Sequence, residues 1–170
     1  MPISLHSATI PVFQQMLASL EHILDKGAAH AEARKFEPAA LTTFRLAPDM
    51  LPFTRQVLIA CDAAKNGVAR VAGVEAPKFE DNEATFPELK ARVRKTLDYL
   101  ASVPASALDG KEDMEVTFPV GRDKQLTMQA QAYLTTRVMA NFFFHVTTAY
   151  AILRHNGVEL GKADFLRGVQ

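Results

Sequence analysis

The chain has 170 residues, 48% apolar and 22% charged, which excludes the low-hydrophobicity, high-charge class that stays disordered. Nineteen lysines and arginines balance nineteen aspartates and glutamates, so the molecule lacks the overall positive field that nucleic-acid binding draws on, and no nucleic-acid partner is expected. The single cysteine, Cys61, lies in the apolar run VLIACDAA; it excludes an intramolecular disulfide and reads as a small buried thiol in a reducing, cytoplasmic protein. The opening MPISLHSATIPVFQQ does not read as a secretory signal, and no run of 18 apolar residues occurs, so neither export nor a membrane partner is expected. One domain over residues 1–170 suits this length.

The first helix is predicted from about Ser7 to Arg34. Ile10, Phe13, Leu17, Leu20, Leu24 and Ala28 recur three or four apart on one face, and Gln14, Glu21, Asp25 and Glu32 occupy the other. Pro11 falls close to the first turn, where a missing amide proton costs little. A second helix is predicted from about Pro48 to Val71, with Met50, Val57, Cys61, Ala64, Val68 and Val71 as its stripe and Gly73 as its stop. This places Asp49 at the helix start, where an acid complements the positive terminus.

GVEAPKFEDNEA then reads as a surface connection. Thr85, Pro87 and Glu88 form a capping signature for a third helix, which Leu89, Val93, Leu97 and Leu100 carry to about Val103. From Met114 to Met128 the helical period stops: EVTFPV and QLTM, joined by the turn-like GRDK, predict a small β-hairpin or irregular excursion. A fourth helix follows from about Gln129 to His155 through Leu134, Val138, Phe142, Val146, Ala149 and Leu153, with Asn156-Gly157 as a left-handed stop. It is roughly 40 Å long unless a bend near Asn141 divides it. Four such stripes satisfy one another by packing around a common axis, so the expected class is an all-α four-helix bundle, with room for a crossover after the second helix.

The five histidines, His6, His22, His30, His145 and His155, form no HxxxH or ExxH pair, the spacings that set two metal ligands on one helical face. His22 and His30 fall off the apolar stripe and read as solvated. His145 and His155 are about 15 Å apart along a continuous helix and do not share an ion. Asp49, Gln56 and His145 are candidates for a polar cluster inside the bundle. Phe142, Phe143 and Phe144 cannot all face one core, which points to a dimer face, or else to Phe142 and Phe143 covering the hairpin while Phe144 meets the first helix. No nucleophile motif, phosphate loop or dinucleotide fingerprint is present.

The stretches RLAPDMLPFTRQ, from Arg45, and NFFFHVTTAYAILRHNGVELGKADFL, from Asn141, resemble the uncharacterised bacterial family catalogued as domain of unknown function nineteen-ninety-three, over nearly the whole chain. That family is placed in the DinB/YfiT-like superfamily, whose fold is a four-helix bundle with a crossover. The resemblance implies a divalent-metal site of three histidines, one early in the second helix and two spaced HxxxH late in the fourth. It also implies relatives that act as thiol-dependent S-transferases or as a maleylpyruvate isomerase. LRHNG resembles the end of that pattern and puts His155 at its last ligand position. Ala151 stands four residues earlier, and Asp49 and Met50 stand where the helix-two histidine would be.

A pocket at the same end of the bundle would gather Asp49, Gln56, His145, Thr148 and His155. Asp49 and His145 are the candidate acid–base pair, and Gln56, Thr148 and His155 the binding residues. The first reading is a small-molecule-binding protein with no cofactor. The alternative is a non-catalytic homodimer whose aromatic helix-four face is the interface. A third is a metal-dependent thiol transferase or isomerase with an altered ligand set, such as Asp49 with His155 on Zn or Ni.

Overall fold

The computed structural model describes residues 3–121 and 123–167. Helix α1 (Leu5–Arg34) starts two residues before the predicted position. The Ser4 and Ser7 side chains form a reciprocal capping box there, and the Asp109 carboxylate accepts the His6 amide at 2.8 Å. After the single-turn helix α2 (Ala39–Thr42), the next long helix, α3 (Phe53–Ala72), begins five residues later than its apolar stripe predicts. Two prolines explain the difference. Proline disfavours helical geometry in the residue before it, which here means Ala47 and Leu51, and Pro52 is extended at the cap. Asp49 therefore sits in an exposed turn ahead of the helix and not at its start. The Phe53 amide donates to the Phe44 carbonyl at 2.9 Å, and Arg45 donates to the Met50 carbonyl at 2.6 Å, closing residues 44–53 into a compact loop.

Helix α4 (Phe86–Ser102) opens with the predicted capping box between Thr85 and Glu88. A short 3-10 turn at Ala105–Ala107 leads to strands β1 (Glu115–Val120) and β2 (Lys124–Gln129), antiparallel with Glu115 opposite Gln129 and Val120 opposite Lys124. The hairpin expectation is met, though Lys124 belongs to the strand and Arg122 of the turn lies outside the described residues. The chain then turns helical through α5 (Ala130–Ala132), a π-helical segment at Tyr133–Val138, and α6 (Met139–His155). The irregularity precedes Asn141 instead of falling on it. Thr135 and Thr136 donate their hydroxyls to the Gln131 and Ala132 carbonyls at 2.7 Å, drawing on acceptors that regular helix geometry uses. Gly157, at φ 86°, ends the helix, and α7 (Lys162–Leu166) follows.

Helix α1 packs against α4, α6 and α7, and α3 packs against α4 and α6. Their shared core includes Phe13 edge-on to Phe142 with ring centres 4.9 Å apart, and Phe53 against Phe86 at 5.8 Å. Helices α3 and α6 run antiparallel, since Gln56 meets His145 while Arg70, fourteen residues on, meets Tyr133. Between those contacts, a Cβ on Gly67 would lie 2.6 Å from Val138 Cγ1, so only a bare α-carbon lets the two segments approach this closely. Among the described residues no helix is long and apolar enough to cross a membrane.

The connection from Gly73 to Thr85 is held down by two cations from the helices beneath it. Arg92, 1% exposed, donates to the Glu80 carbonyl at 3.1 Å and reaches Glu83 at 3.0 Å, Asp62 at 2.9 Å and Asp81 at 3.1 Å. Lys65 reaches Asp62 at 3.0 Å and the Pro77 carbonyl at 2.8 Å, and both cations stand over the Phe79 ring. Burial by itself pushes the Arg92 pKa down, but Asp62 and Glu83 beside it outweigh that and hold it above its ordinary value. Arg92→Ala leaves these carboxylates without their buried cation, and a loss of about 3–5 kcal/mol is expected, toward the lower figure because Asp62 and Asp81 keep access to water. Urea unfolding checks this; a loss below about 1 kcal/mol contradicts the clamp.

Candidate functional site

The polar residues inside the α3/α6 contact are Gln56, 1% exposed, and His145, 8% exposed. The Gln56 amide nitrogen donates to the Leu51 carbonyl at 2.9 Å, which fixes the orientation of its side chain. Its Oε1 then faces His145 Nδ1 at 2.7 Å. A carbonyl oxygen only accepts, so Nδ1 carries the proton and the neutral ring has its lone pair on Nε2. No described residue hydrogen-bonds to Nε2. Burial pushes the His145 pKa below the ordinary 6.5, so the ring is neutral at pH 7. The result is an oriented imidazole base whose accepting nitrogen is not occupied by the protein.

Thr148 lies one turn from His145 on the same helix and is 7% exposed. Its hydroxyl donates to the Phe144 carbonyl at 2.7 Å, which leaves its oxygen able to accept. Phe144 stands edge-on to the His145 ring with centres 5.2 Å apart. His155 is exposed at the end of α6, its ring 5.8 Å from that of Phe44. Phe44 belongs to the loop that carries Asp49, so this loop touches the last turn of α6. The structure thus joins Gln56 to His145, sets Thr148 beside them, and leaves His155 and Asp49 at the exposed end. Among the described residues Asp49 makes no hydrogen bond or ion pair with His145.

The aromatic block divides between the core and the surface. Phe142 meets α1 through Phe13, Phe143 is partly buried against the core, and Phe144 is 57% exposed. Phe144 therefore does not meet the first helix. Cys61 is fully buried, and burial pushes its thiol up to about 12 despite a hydrogen bond with Thr96, so it is no nucleophile at neutral pH.

The donor set at the end of α6 does not fit the three-histidine centre that the resemblance implies. His155 stands at the last ligand position with Ala151 four residues before it, and among the described residues no three His, Cys, Asp or Glu side chains gather as a metal centre needs.

The architecture is mostly helical with a small antiparallel hairpin, and its similarity to a DinB family member of known structure makes its class DinB-like. The chain is 40% identical to a DinB family member from Shewanella denitrificans known from a crystal structure, with a TM-score of 0.88 over 98% of this chain and 93% of that one. It belongs to the family described as domain of unknown function (DUF1993), whose model matches residues 5–166. No curated protein matches the sequence.

Arg92, Lys65, Arg70, Tyr133 and Arg137 are polar residues with structural or site positions that the helical periodicity passes over. The acidic run EDNE in the connection is the signal for Arg92, since a cluster of like charges is relieved by a cation among them. For the others the local sequence carries no comparable signal.

Replacing Gln56 by glutamate sets a carboxylate against His145 Nδ1 and favours the imidazolium. In Gln56→Glu the His145 titration, followed by its ring proton shifts, is expected to move up from the wild-type value. The sign for stability follows: wild-type His145 is neutral in the fold and charged more readily when unfolded, so its contribution weakens as pH falls below 6.5. The variant, with its folded-state pKa raised, gains in that same window. An unmoved titration contradicts the contact.

Proposed function

We propose that the protein is a small-molecule-binding protein with the crossover four-helix bundle of the DinB/YfiT-like class, and that His145 Nε2 is the group that receives the ligand. The observation that carries this reading is the buried Gln56–His145 pair. Gln56 fixes Nδ1, and Nε2, which has no partner among the described residues and is not one of the buried unpartnered atoms, is left at the surface to accept. The ligand chemistry follows: an N–H or O–H donor for Nε2, with an apolar portion against Phe144 and a second donor for the Thr148 oxygen. Gln56 acts by holding the ring, while His155, about 15 Å further along the helix, and Asp49, in the exposed loop, stand apart from it. This reading needs no cofactor and places the protein in the cytoplasm, consistent with a reduced Cys61.

A homodimer is the second reading, favoured by Phe144 at 57%, Leu51 at 43% and Leu46 at 40% exposure. An interface over Phe144 would also cover the approach to His145, so the two readings compete for one surface.

A thermal-shift screen with small amides, alcohols and acids separates them. A fragment at about 100 times its Kd adds about 2.7 kcal/mol, which for a chain of this size raises the melting temperature by roughly 5–10 °C. His145→Ala is expected to abolish that rise. A stabilising fragment that works equally on His145→Ala contradicts the site. A dimeric mass at micromolar concentration that Phe144→Glu converts to monomer, with no fragment raising the wild-type melting temperature, favours the interface.

A further inference from the structure

The opposite end of the α3/α6 contact carries a second polar site. A cavity of about 170 Å³ opens between α3, the π-helical segment and the hairpin, and its polar lining is Arg70, Tyr133, Arg137 and Asn141. Its apolar walls include Ala63 and Phe118, and no acidic residue lines it. Tyr133 is 2% exposed and packs on Phe118 with ring centres 4.6 Å apart. Arg70 Nη1 donates to the Tyr133 hydroxyl oxygen at 2.9 Å. A phenol that accepts this bond still has its own proton to give, and no described residue takes it. Among the described residues neither Arg70 nor Arg137 is paired with a carboxylate.

The π-helical segment is what brings these groups to one face. Over four residues an α-helix overshoots a full turn by about 40°, while the wider π turn falls short of one by roughly 30°. Tyr133 to Arg137 crosses the π segment, and Arg137 to Asn141 crosses mainly regular helix. The two deviations largely cancel, so the three side chains form one stripe, where an uninterrupted helix would spread them over about 80°. Gly67 admits Val138 closely against α3 and so brings this stripe to Arg70.

We propose that this cavity binds a small oxyanion, the carboxylate or phosphate group of a small molecule. Two guanidinium groups offer paired donors to its oxygens, and the Tyr133 hydroxyl and the Asn141 amide supply further ones. Its size suits a single anionic group with few attached atoms, not a drug-sized ligand.

Titrating the isotope-labelled full chain with sodium phosphate and, separately, sodium succinate at constant ionic strength tests this. Saturable NMR shifts are expected at Arg70, Tyr133, Arg137 and Asn141, with a Kd below about 10 mM for at least one probe. Saturation by phosphate alone assigns a phosphate group, and by succinate alone a carboxylate. Arg137→Ala, at an exposed position, is expected to weaken binding about tenfold or more, and Tyr133→Phe several-fold, while Arg94→Ala leaves it unchanged. Shifts that fail to saturate with either probe, or a Kd that stays within about twofold in Arg137→Ala, overturn the proposal. His145→Ala is expected to leave this binding intact, so the two sites stand or fall separately.

Discussion

The contact between Gly67 and Val138 sets the geometry on which both polar sites depend. With no side chain at Gly67, α3 and the helix that follows the hairpin approach until Val138 fills the gap, where a Cβ would stand 2.6 Å from Val138 Cγ1. Close-packed helices tolerate little sliding, because each side chain already occupies the hollow between its neighbours. The register fixed there sets Gln56 opposite His145 toward one end and Arg70 opposite Tyr133 toward the other. A slip by one turn, about 5.4 Å, breaks both hydrogen bonds together.

The molecule handles buried polarity in two ways. Around Arg92 the buried charge is met by carboxylates from α3 and the 73–85 connection, so charge is matched locally and the connection is held to the helices. Around His145 no opposite charge is supplied, and burial keeps the ring neutral. The first arrangement fixes structure. The second leaves a base that has been oriented but not used, which is why the functional reading rests on His145 and not on the more extensive ionic network.

Periodicity in the sequence reveals the four long helices, because an amphipathic stripe reports a buried face whatever covers it. The cap at Thr85, the hairpin and the stop at Gly157 are legible for the same reason: each depends on a few adjacent residues. The start of α3 is not, since Met50 continues the stripe while the proline constraints at Ala47 and Leu51 stop the helix. Gln56 and His145 stand out as polar residues near core positions, but their contact spans 89 residues and depends on the register of two helices. Arg70, Tyr133 and Arg137 are harder still. The common face of Tyr133, Arg137 and Asn141 depends on a π-helical segment, and two i, i+4 steps in sequence do not announce one.

The 40% identity to the Shewanella denitrificans DinB family member covers nearly the whole chain, so the helical scaffold is shared. The His145 tautomer is the property that most directly joins scaffold to proposed function. Long-range nitrogen–proton correlation of the labelled wild-type protein at pH 7 reads it in one spectrum. A protonated Nδ1 with an unprotonated Nε2 is expected; a ring protonated at Nε2 alone, or at both nitrogens, contradicts the site.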